Sequence, residues 1–216
     1  MGWVKTIETQ AGVLGIWELN DSPEELQAVF HFTDAENEAF GKMKFEKRKK
    51  EFLAVRLLTE QLIHTKPEIV YDKVGCPRLK KSQLNISISH SNELVTVLLS
   101  DKKIGIDVEN TLRSVEKVAR RFLSEDELKY VNKQENTRAA MVFCWSVKEA
   151  VFKCSGLQNI LFNRDIIIHP ERNNDEMFYA ELIKGRNKRL YKCGSFLFKN
   201  NVIVYCVEEE SKISTE

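Results

Sequence analysis

Between residues 139 and 155, apolar side chains recur at mixed three- and four-residue spacings, and no Gly or Pro interrupts the run. This spacing predicts a helix with a buried face, and Gly156 predicts where that helix ends. On such a helix Glu149 and Lys153 lie one turn apart on a shared face, whereas Lys148 points to a different side. Taken alone, the Glu149–Lys153 pair is typical of an ordinary surface ion pair.

Residues 104–109 follow a different pattern, in which apolar residues alternate with Gly105, Asp107 and Glu109. A period of two predicts a strand with one apolar face, so Asp107 and Glu109 project from the same side. Two neighbouring carboxylates repel each other unless a positive charge lies between them, and oxygen ligands suit Mg²⁺. The alternative interpretation is a solvent-facing strand surface that is simply acidic.

The other segments predict strands, then helices, then strands again, in a layout that occurs twice along the chain. Ser22, Thr33 and Ser124 predict capped helix starts, and Ser114 predicts a short amphipathic helix. A tract at 42–50 with six Lys or Arg runs into an apolar helix at 51–63. Strands are predicted at 12–19, 84–91, 94–100, 164–168, 178–183, 193–198 and 202–207, and a frayed polar tail at 208–216.

The composition indicates a soluble globular chain. With 216 residues, 43% hydrophobic and 30% charged, the chain can build a sizeable core in one domain or two small ones. A formal net charge of +1 gives no field that would steer it to nucleic acid or to a membrane, and neither class of motif is found. The five cysteines include no C-x-x-C pair, so neither a disulfide framework nor a zinc site is predicted, and a reducing cytoplasm is the simplest location.

Three segments together resemble the 4′-phosphopantetheinyl transferases. Residues 104–109 are similar to that family's G-[IV]-D-[IV]-E strand, and residues 145–153 to its [WF]-[SC]-x-K-E-[AS]-x-x-K helix. Residues 85–91 resemble a third element, N-[IVL]-S-x-S-H-[ST]. The order and spacing of the two acidic segments make the resemblance specific, and it extends by motif over residues 40–155.

The resemblance implies an α+β fold. The chain is similar in length to the family's long type, represented by the surfactin-synthetase-activating transferase, in which two similar halves form a pseudo-dimer within one chain. The expected halves are residues 1–102, which would contact the phosphates of coenzyme A, and residues 103–216, which would hold magnesium and the catalytic helix. Coenzyme A would lie in the cleft between them, and the protein would act as a monomer.

The resemblance also assigns roles to single residues. Asp107, Glu109 and Glu149 would bind Mg²⁺, and the catalytic groups would be Glu149, Lys153, Lys148 and His90. The side chains expected to contact coenzyme A are Arg48, Arg56, Lys73, Arg78, Ser89, His90, Lys148 and Lys153.

The basic residues among these expected contacts come from two regions of the sequence, and the reason for choosing them differs between the two. Most lysines of the 42–50 tract are expected on a solvated helix face, and Arg48 and Arg56 are preferred because a guanidinium binds phosphate with two hydrogen bonds. In the loop that resembles the family's G-[KR]-P element, Cys76 stands at the basic position, so Lys73 or Arg78 would supply the charge.

The implied reaction is the Mg²⁺-dependent transfer of 4′-phosphopantetheine from coenzyme A to a serine of an apo acyl or peptidyl carrier protein, with 3′,5′-ADP as the second product. Arg113, Arg120 and Arg121 would meet the acidic surface of the carrier. Two alternatives remain: a non-catalytic protein that binds coenzyme A or the carrier, and a metal-dependent nucleotide-diphosphate hydrolase. The sequence does not identify the carrier.

Overall fold

Two successive runs of strands and helices make up the computed structural model, which describes residues 2–170 and 177–209. The first run contains β1 (Trp3–Thr9), β2 (Gly12–Glu18), α1 (Pro23–Val29), α2 (Asp34–Gly41), α3 (Glu46–Ile63), β3 (Ile69–Tyr71), β4 (Pro77–Leu79), β5 (Asn85–His90) and β6 (Leu94–Ser100). The second contains β7 (Ile104–Asn110), a 3-10 turn (Glu116–Val118), α4 (Ala119–Phe122), α5 (Glu125–Val131), α6 (Thr137–Ser155), α7 (Phe162–Asp165), β8 (Ile166–His169), β9 (Phe178–Lys184), β10 (Asn187–Phe198) and β11 (Asn201–Glu208).

The strands form two main antiparallel sheets and a small hairpin. The first sheet has the order β1-β2-β6-β5, the second has the order β7-β11-β10-β9-β8, and β3 pairs with β4. Every strand of the first sheet ends by Ser100, and every strand of the second begins at Ile104 or later. The change of sheet therefore falls beside Lys102, where the two halves were expected to meet, and the predicted α+β class is confirmed.

Each sheet supports one long helix. In the first half, Leu53, Ala54 and Leu58 of α3 are buried in a cluster with residues of β2 and β6. In the second half, α6 lies so close to β7 that a Cβ added at Gly105 would come within 1.9 Å of the carbonyl oxygen of Ala150. A glycine is needed at this position because backbone occupies the space that any side chain would require.

A third apolar cluster lies between the halves. Ile104, Ile106 and Val108 pack against Leu14 and Leu98 of the first sheet. The other side of β7 is also buried, because α6 covers it. The expectation of one apolar face holds, but the opposite face is not turned to bulk solvent as in the alternative interpretation.

Serine hydroxyls join β5 to the open edge of β7. The backbone N–H of Ile106 donates to Ser87 Oγ at 3.0 Å, and that of Val108 donates to Ser89 Oγ at 3.2 Å. In a continuous sheet, a neighbouring strand would accept hydrogen bonds from these N–H groups at the edge of β7. Here the serine hydroxyls accept them instead. The two sheets thus meet through side chains and not through a continuous backbone ladder.

Several local predictions are confirmed. Ser22, Thr33 and Ser124 each cap a helix in a capping box. The long second-half helix stops at Gly156, which has a left-handed φ of 63°.

None of the helices in residues 2–170 and 177–209 is long and apolar enough to cross a bilayer.

Other local predictions were wrong. Ser114 does not cap a helix, because its hydroxyl donates to Glu116 and the chain begins a 3-10 turn only at that residue. The strand expected at 164–168 begins at Ile166, since the short helix α7 precedes it. The strand β1 was not predicted, and α3 starts inside the basic tract. The predicted tail at 208–216 lies mostly outside the described residues.

Candidate active site

A cavity of about 1120 Å³ opens between the two halves. The first half contributes α2, α3, β5 and the loop before β4, and the second half contributes the start of β7 and the C-terminal end of α6. Its basic lining residues are Arg48, Arg56, Arg78, His90, Lys103 and Lys153. Both halves therefore contribute basic side chains to the cavity wall.

Arg48 and His90 form the polar end of the first-half wall. Both are held by Glu51, whose Oε2 lies 2.8 Å from Arg48 Nη1 and whose Oε1 lies 3.2 Å from His90 Nδ1. Arg48 Nη1 is also 3.3 Å from His90 Nε2. Burial lowers the pKa of His90; Glu51 opposes this, and the nearby charges of Arg48, Lys153 and Lys47 add to it. An arriving anion would reverse the effect and favour the protonated ring.

The other side chains predicted to contact coenzyme A differ in exposure and in whether they line the cavity. Arg56 is buried, donates from Nε to Glu36 Oε1 at 3.0 Å, and lies 3.4 Å from the centre of the Phe52 ring. Arg78 is exposed at the mouth of the cavity, 3.6 Å from Asp72. Lys73 is exposed in the same loop but does not line the cavity.

Cys76 lines the cavity mouth as a partly exposed free thiol. It brings no charge to the basic position of the loop. Arg78, two residues further on, is the side chain that brings charge from this loop to the cavity.

Asp107 is the most deeply buried of the three carboxylates predicted to bind the metal. Its Oδ1 accepts from Lys153 Nζ at 2.8 Å and from Ser89 Oγ at 2.9 Å. Its Oδ2 is buried and has no hydrogen-bond partner. An unpaired buried carboxylate oxygen is costly, so this atom is the one most in need of a cation.

Glu109 and Glu149 complete a group of three carboxylates. Trp145 Nε1 donates to Glu109 Oε1 at 3.2 Å, and Arg113 pairs with the same oxygen. Burial and then Asp107 raise the pKa of Glu109. Burial and then Asp107 also raise the pKa of Glu149, to about 7, with Glu109 adding and Lys153 and Arg113 opposing. The structure thus brings together the three side chains predicted to bind the metal.

The donor set fits Mg²⁺, which prefers carboxylate oxygens. Within residues 2–170 and 177–209, however, no three His, Cys, Asp or Glu side chains are already arranged as a metal cluster. Lys153 and Arg113 instead pair with Asp107 and Glu109. A metal would therefore have to compete with these two cations for the oxygens of Asp107 and Glu109.

Residues 103–206 match the family model described as the 4′-phosphopantetheinyl transferase superfamily. The matched segment is just under half of the chain, so the likeness to that superfamily is shown for the second half. The matched segment contains all three carboxylates and the whole of α6.

Two curated proteins are similar to part of this chain. The "4′-phosphopantetheinyl transferase gsp" of Aneurinibacillus migulanus is 32% identical over 75 residues, which cover 34% of this chain and 32% of that protein. The "Fatty acid synthase subunit alpha" of Candida parapsilosis is 32% identical over 98 residues, or 44% of this chain and 5% of that protein. The chain thus spans about a third or less of the length of either relative.

Lys153, the last lysine of the transferase helix motif, faces the cavity. Its ammonium donates to Ser89 Oγ at 3.0 Å, to the Ile106 carbonyl at 3.0 Å and to Asp107 Oδ1 at 2.8 Å. An ammonium has three donors, so all are in use. Contact with a substrate phosphate would replace one of these hydrogen bonds.

Lys148, the first lysine of the same motif, does not line the cavity, so its position gives no support to its predicted role. Its side chain is 0% exposed and lies 2.7 Å from Glu127 Oε2. It also donates to the carbonyls of Phe162 and Ile166, both at 2.8 Å. Helical geometry explains the difference, because Lys148 shares its side of α6 with Cys144 and Val151, which are buried.

Ser89, in the third transferase element, is likewise engaged inside the protein. Its hydroxyl donates to Asp107 Oδ1 and accepts from Lys153 Nζ and the Val108 N–H. The side chain is buried and does not line the cavity. The predicted contact with coenzyme A stays a prediction, and in this structure Ser89 positions a carboxylate and a lysine.

Three residues that contact the candidate site residues were not predicted as such: Glu51, Glu127 and Trp145. The position of Trp145, one turn before Glu149, offered a signal for its contact with the acidic group. Glu127 and Glu51 gave none, because their partners Lys148 and His90 lie far away in the sequence.

Proposed function

We propose that this protein transfers the 4′-phosphopantetheine group of coenzyme A to a serine hydroxyl of an apo acyl or peptidyl carrier protein. The second product is 3′,5′-ADP. The observation that carries the proposal is a cavity lined by basic side chains of the first half and by Lys153 of the second half. Lys153 contacts Asp107, one of three neighbouring carboxylates that lie behind the cavity lining. The match of residues 103–206 to the 4′-phosphopantetheinyl transferase superfamily and the likeness to the bacterial transferase support it.

The cavity suits a large, phosphate-rich substrate. Its volume of about 1120 Å³ lies slightly above the usual range of small-molecule pockets. Arg48, Arg78 and His90 would bind the phosphates, since guanidinium and imidazolium groups donate charge-assisted hydrogen bonds. Apolar side chains including Phe52 and Ile86 line the same cavity and offer a surface for the adenine ring.

Asp107, Glu109 and Glu149 would hold Mg²⁺ through oxygen ligands only. When bound, Mg²⁺ neutralises the charge of a diphosphate and polarises its phosphorus–oxygen bonds. The unpartnered Oδ2 of Asp107 is the feature of this chain that supports the assignment.

The chain's own groups then account for the movement of charge. Glu149, or a water that it orients, accepts the proton of the carrier serine while the serine oxygen forms a bond to the β-phosphorus. The bond from that phosphorus to the bridging oxygen breaks, and its electron pair leaves with 3′,5′-ADP. Lys153 offsets the growing negative charge on the leaving phosphate, and His90 adds positive charge from the opposite wall.

The same proposal extends to assembly and location. Both walls of the cavity come from a single chain, so a monomer is sufficient for activity. All five cysteines are free, which agrees with a reducing cytoplasm. Arg113, Arg120 and Arg121 lie on one exposed stretch after β7, where an acidic carrier would meet them.

One incubation tests the proposal. The protein, coenzyme A, Mg²⁺ and a panel of apo carriers are combined, and each carrier is weighed by mass spectrometry. A carrier that gains phosphopantetheine supports transfer. Phosphopantetheine released without any carrier would indicate a hydrolase, and binding of coenzyme A without turnover would indicate a binding protein.

Asp107→Asn tests the metal assignment while keeping the size of the side chain. Transfer in Mg²⁺ is expected to fall by at least about a hundredfold, since a charged ligand is lost. Asp126→Asn, an exposed acid paired with Lys129, is the matched control and should retain full activity. Normal transfer by the Asp107 variant would refute the assignment.

A further inference from the structure

Arg113 is a partly exposed arginine that lies beside the group formed by Asp107, Glu109 and Glu149. It follows β7 in a turn closed by its own N–H, which donates to the Asn110 carbonyl at 2.9 Å. Its guanidinium pairs with Glu109 Oε1, and the guanidinium carbon lies 5.5 Å from the centre of the Trp145 ring. The side chain is nevertheless 46% exposed.

Trp145, which binds Glu109, is held by packing contacts, whereas the side chain of Arg113 is only partly covered. Trp145 is held by aromatic contacts to Phe122 and Phe162, with ring centres 5.2 and 5.7 Å away. Its indole N–H fixes Glu109 Oε1 at 3.2 Å. A half-exposed arginine has many rotamers and can leave without disturbing this packing.

The charges around the acids show what Arg113 does there. Lys153 neutralises Asp107, and Arg113 neutralises Glu109. Burial and the other two carboxylates act together on Glu149. The guanidinium therefore occupies, at Glu109 Oε1, the place that a metal cation would take.

We propose that Arg113 is an internal counter-ion that a divalent cation must displace from Glu109 in order to bind. The inference rests on the proposed function for the identity of the metal site. Arg113 lowers the affinity of the empty protein for the metal. On metal binding its guanidinium is released to the exposed surface beside Leu112, where an acidic partner can pair with it. Loading of the metal and engagement of that partner then favour each other, as linkage requires.

The test is metal binding, without coenzyme A or carrier. Isothermal titration of the full chain with Mg²⁺, and separately with Mn²⁺, is compared among variants. Arg113→Ala should bind the metal about two- to fivefold more tightly, the range that corresponds to the loss of one exposed ion pair. Arg113→Lys keeps a competing charge and should stay closer to the wild-type affinity.

Arg120→Ala is the matched control, because it removes one positive charge from the same stretch. Its guanidinium lies 3.7 Å from Glu125 and faces solvent. The variant should bind metal like the wild type. In addition, metal should change the fluorescence of the wild type as the guanidinium leaves the Trp145 ring, and this change should be lost in Trp145→Phe.

The outcomes separate the two proposals. Unchanged or weaker metal binding by Arg113→Ala would overturn the inference, as would an equal gain from Arg120→Ala. If the Arg113 effect is found but no carrier is modified by the wild type, the inference stands and the proposed function fails. If carriers are modified but Arg113→Ala binds metal no better, the function stands and the inference fails.

Discussion

Two lysines of α6 differ in what surrounds them more than in what they bind. Lys148 lies 2.7 Å from a carboxylate and Lys153 lies 2.8 Å from another, and each donates to further acceptors. Lys148 is fully buried within the second half, whereas Lys153 is 28% exposed at the cavity. The pairing geometry alone does not distinguish a structural lysine from a candidate catalytic one.

The partners show what the environment adds. Glu127, which binds Lys148, also accepts from the N–H groups of Ser124 and Ile168, so it connects α5, α6 and β8. Asp107, which binds Lys153, retains one unpaired buried oxygen. The first pair is satisfied within the fold, and the second pair leaves an acceptor for a cation.

The largest expected effect is on stability, from Lys148→Met. The change leaves Glu127 buried without its cation and removes a donor from two carbonyls, and breaking a buried ion pair costs about 3–5 kcal/mol. Urea unfolding of the variant and the wild type measures the difference.

The double variant Lys148→Met, Glu127→Leu sharpens this prediction. Removing both charges should restore part of the stability lost in the single variant. Transfer activity per folded molecule should be close to wild type. A stable double variant without transfer would mean that Lys148 takes part in the chemistry after all.

The next effect is on activity, from Lys153→Met. In the proposed reaction the Lys153 ammonium would face the leaving phosphate, so its loss should lower the rate of transfer by about 10²–10³-fold. The loss of stability should be smaller than for Lys148→Met, because this pair is partly solvated. Carrier mass at timed intervals gives the rate, and Lys129→Met, on an exposed lysine, is the control. Equal losses of stability in both variants would remove the contrast between the two lysines.

The smallest effect concerns pH and His90, on the first-half wall. Burial keeps the pKa of free His90 below its usual value of 6.5, while a bound phosphate would raise it. Binding then takes up a proton, so the affinity for coenzyme A should fall as pH rises above the pKa of the free ring, by at most tenfold per pH unit. The groups facing the ring are Glu51, Arg48, Lys47 and Lys153.

Titration calorimetry with coenzyme A between pH 5.5 and 8 measures this dependence at about half-unit steps. His90→Ala should lose the share that comes from the ring, and what remains reports the phosphates of the ligand. His31→Ala, at an exposed histidine, should behave like the wild type. A pH profile unchanged in His90→Ala would exclude a protonated His90 from binding.

The sequence was sufficient where a short segment carries its own signal. The alternation at residues 104–109 predicted β7, and the helical spacing at 139–155 predicted α6 and its end at Gly156. With these two elements paired, Asp107, Glu109 and Glu149 had to be near one another. The strand β1 escaped because most of its side chains are exposed and present no apolar face.

The sequence was insufficient where a side chain's role depends on a distant partner. Lys148 was given a place at the site by resemblance, although its helical position beside Cys144 and Val151 already indicated burial. Nothing in the local pattern pointed to Glu127, which is 21 residues away. Ser89 matched a substrate-binding element, yet its hydroxyl is used by Asp107 and Lys153 from the other half.

The serines of β5 therefore have a consequence beyond holding an edge strand. Ser89 touches the backbone of β7, the buried aspartate and the cavity lysine at once. Any sliding or tilting of one half against the other must change the hydrogen bonds of both charged groups. A ligand that spans the cavity and draws the halves together would consequently change the hydrogen bonds of Asp107 and Lys153. Binding would thereby alter the electrostatic environment of the ligand itself.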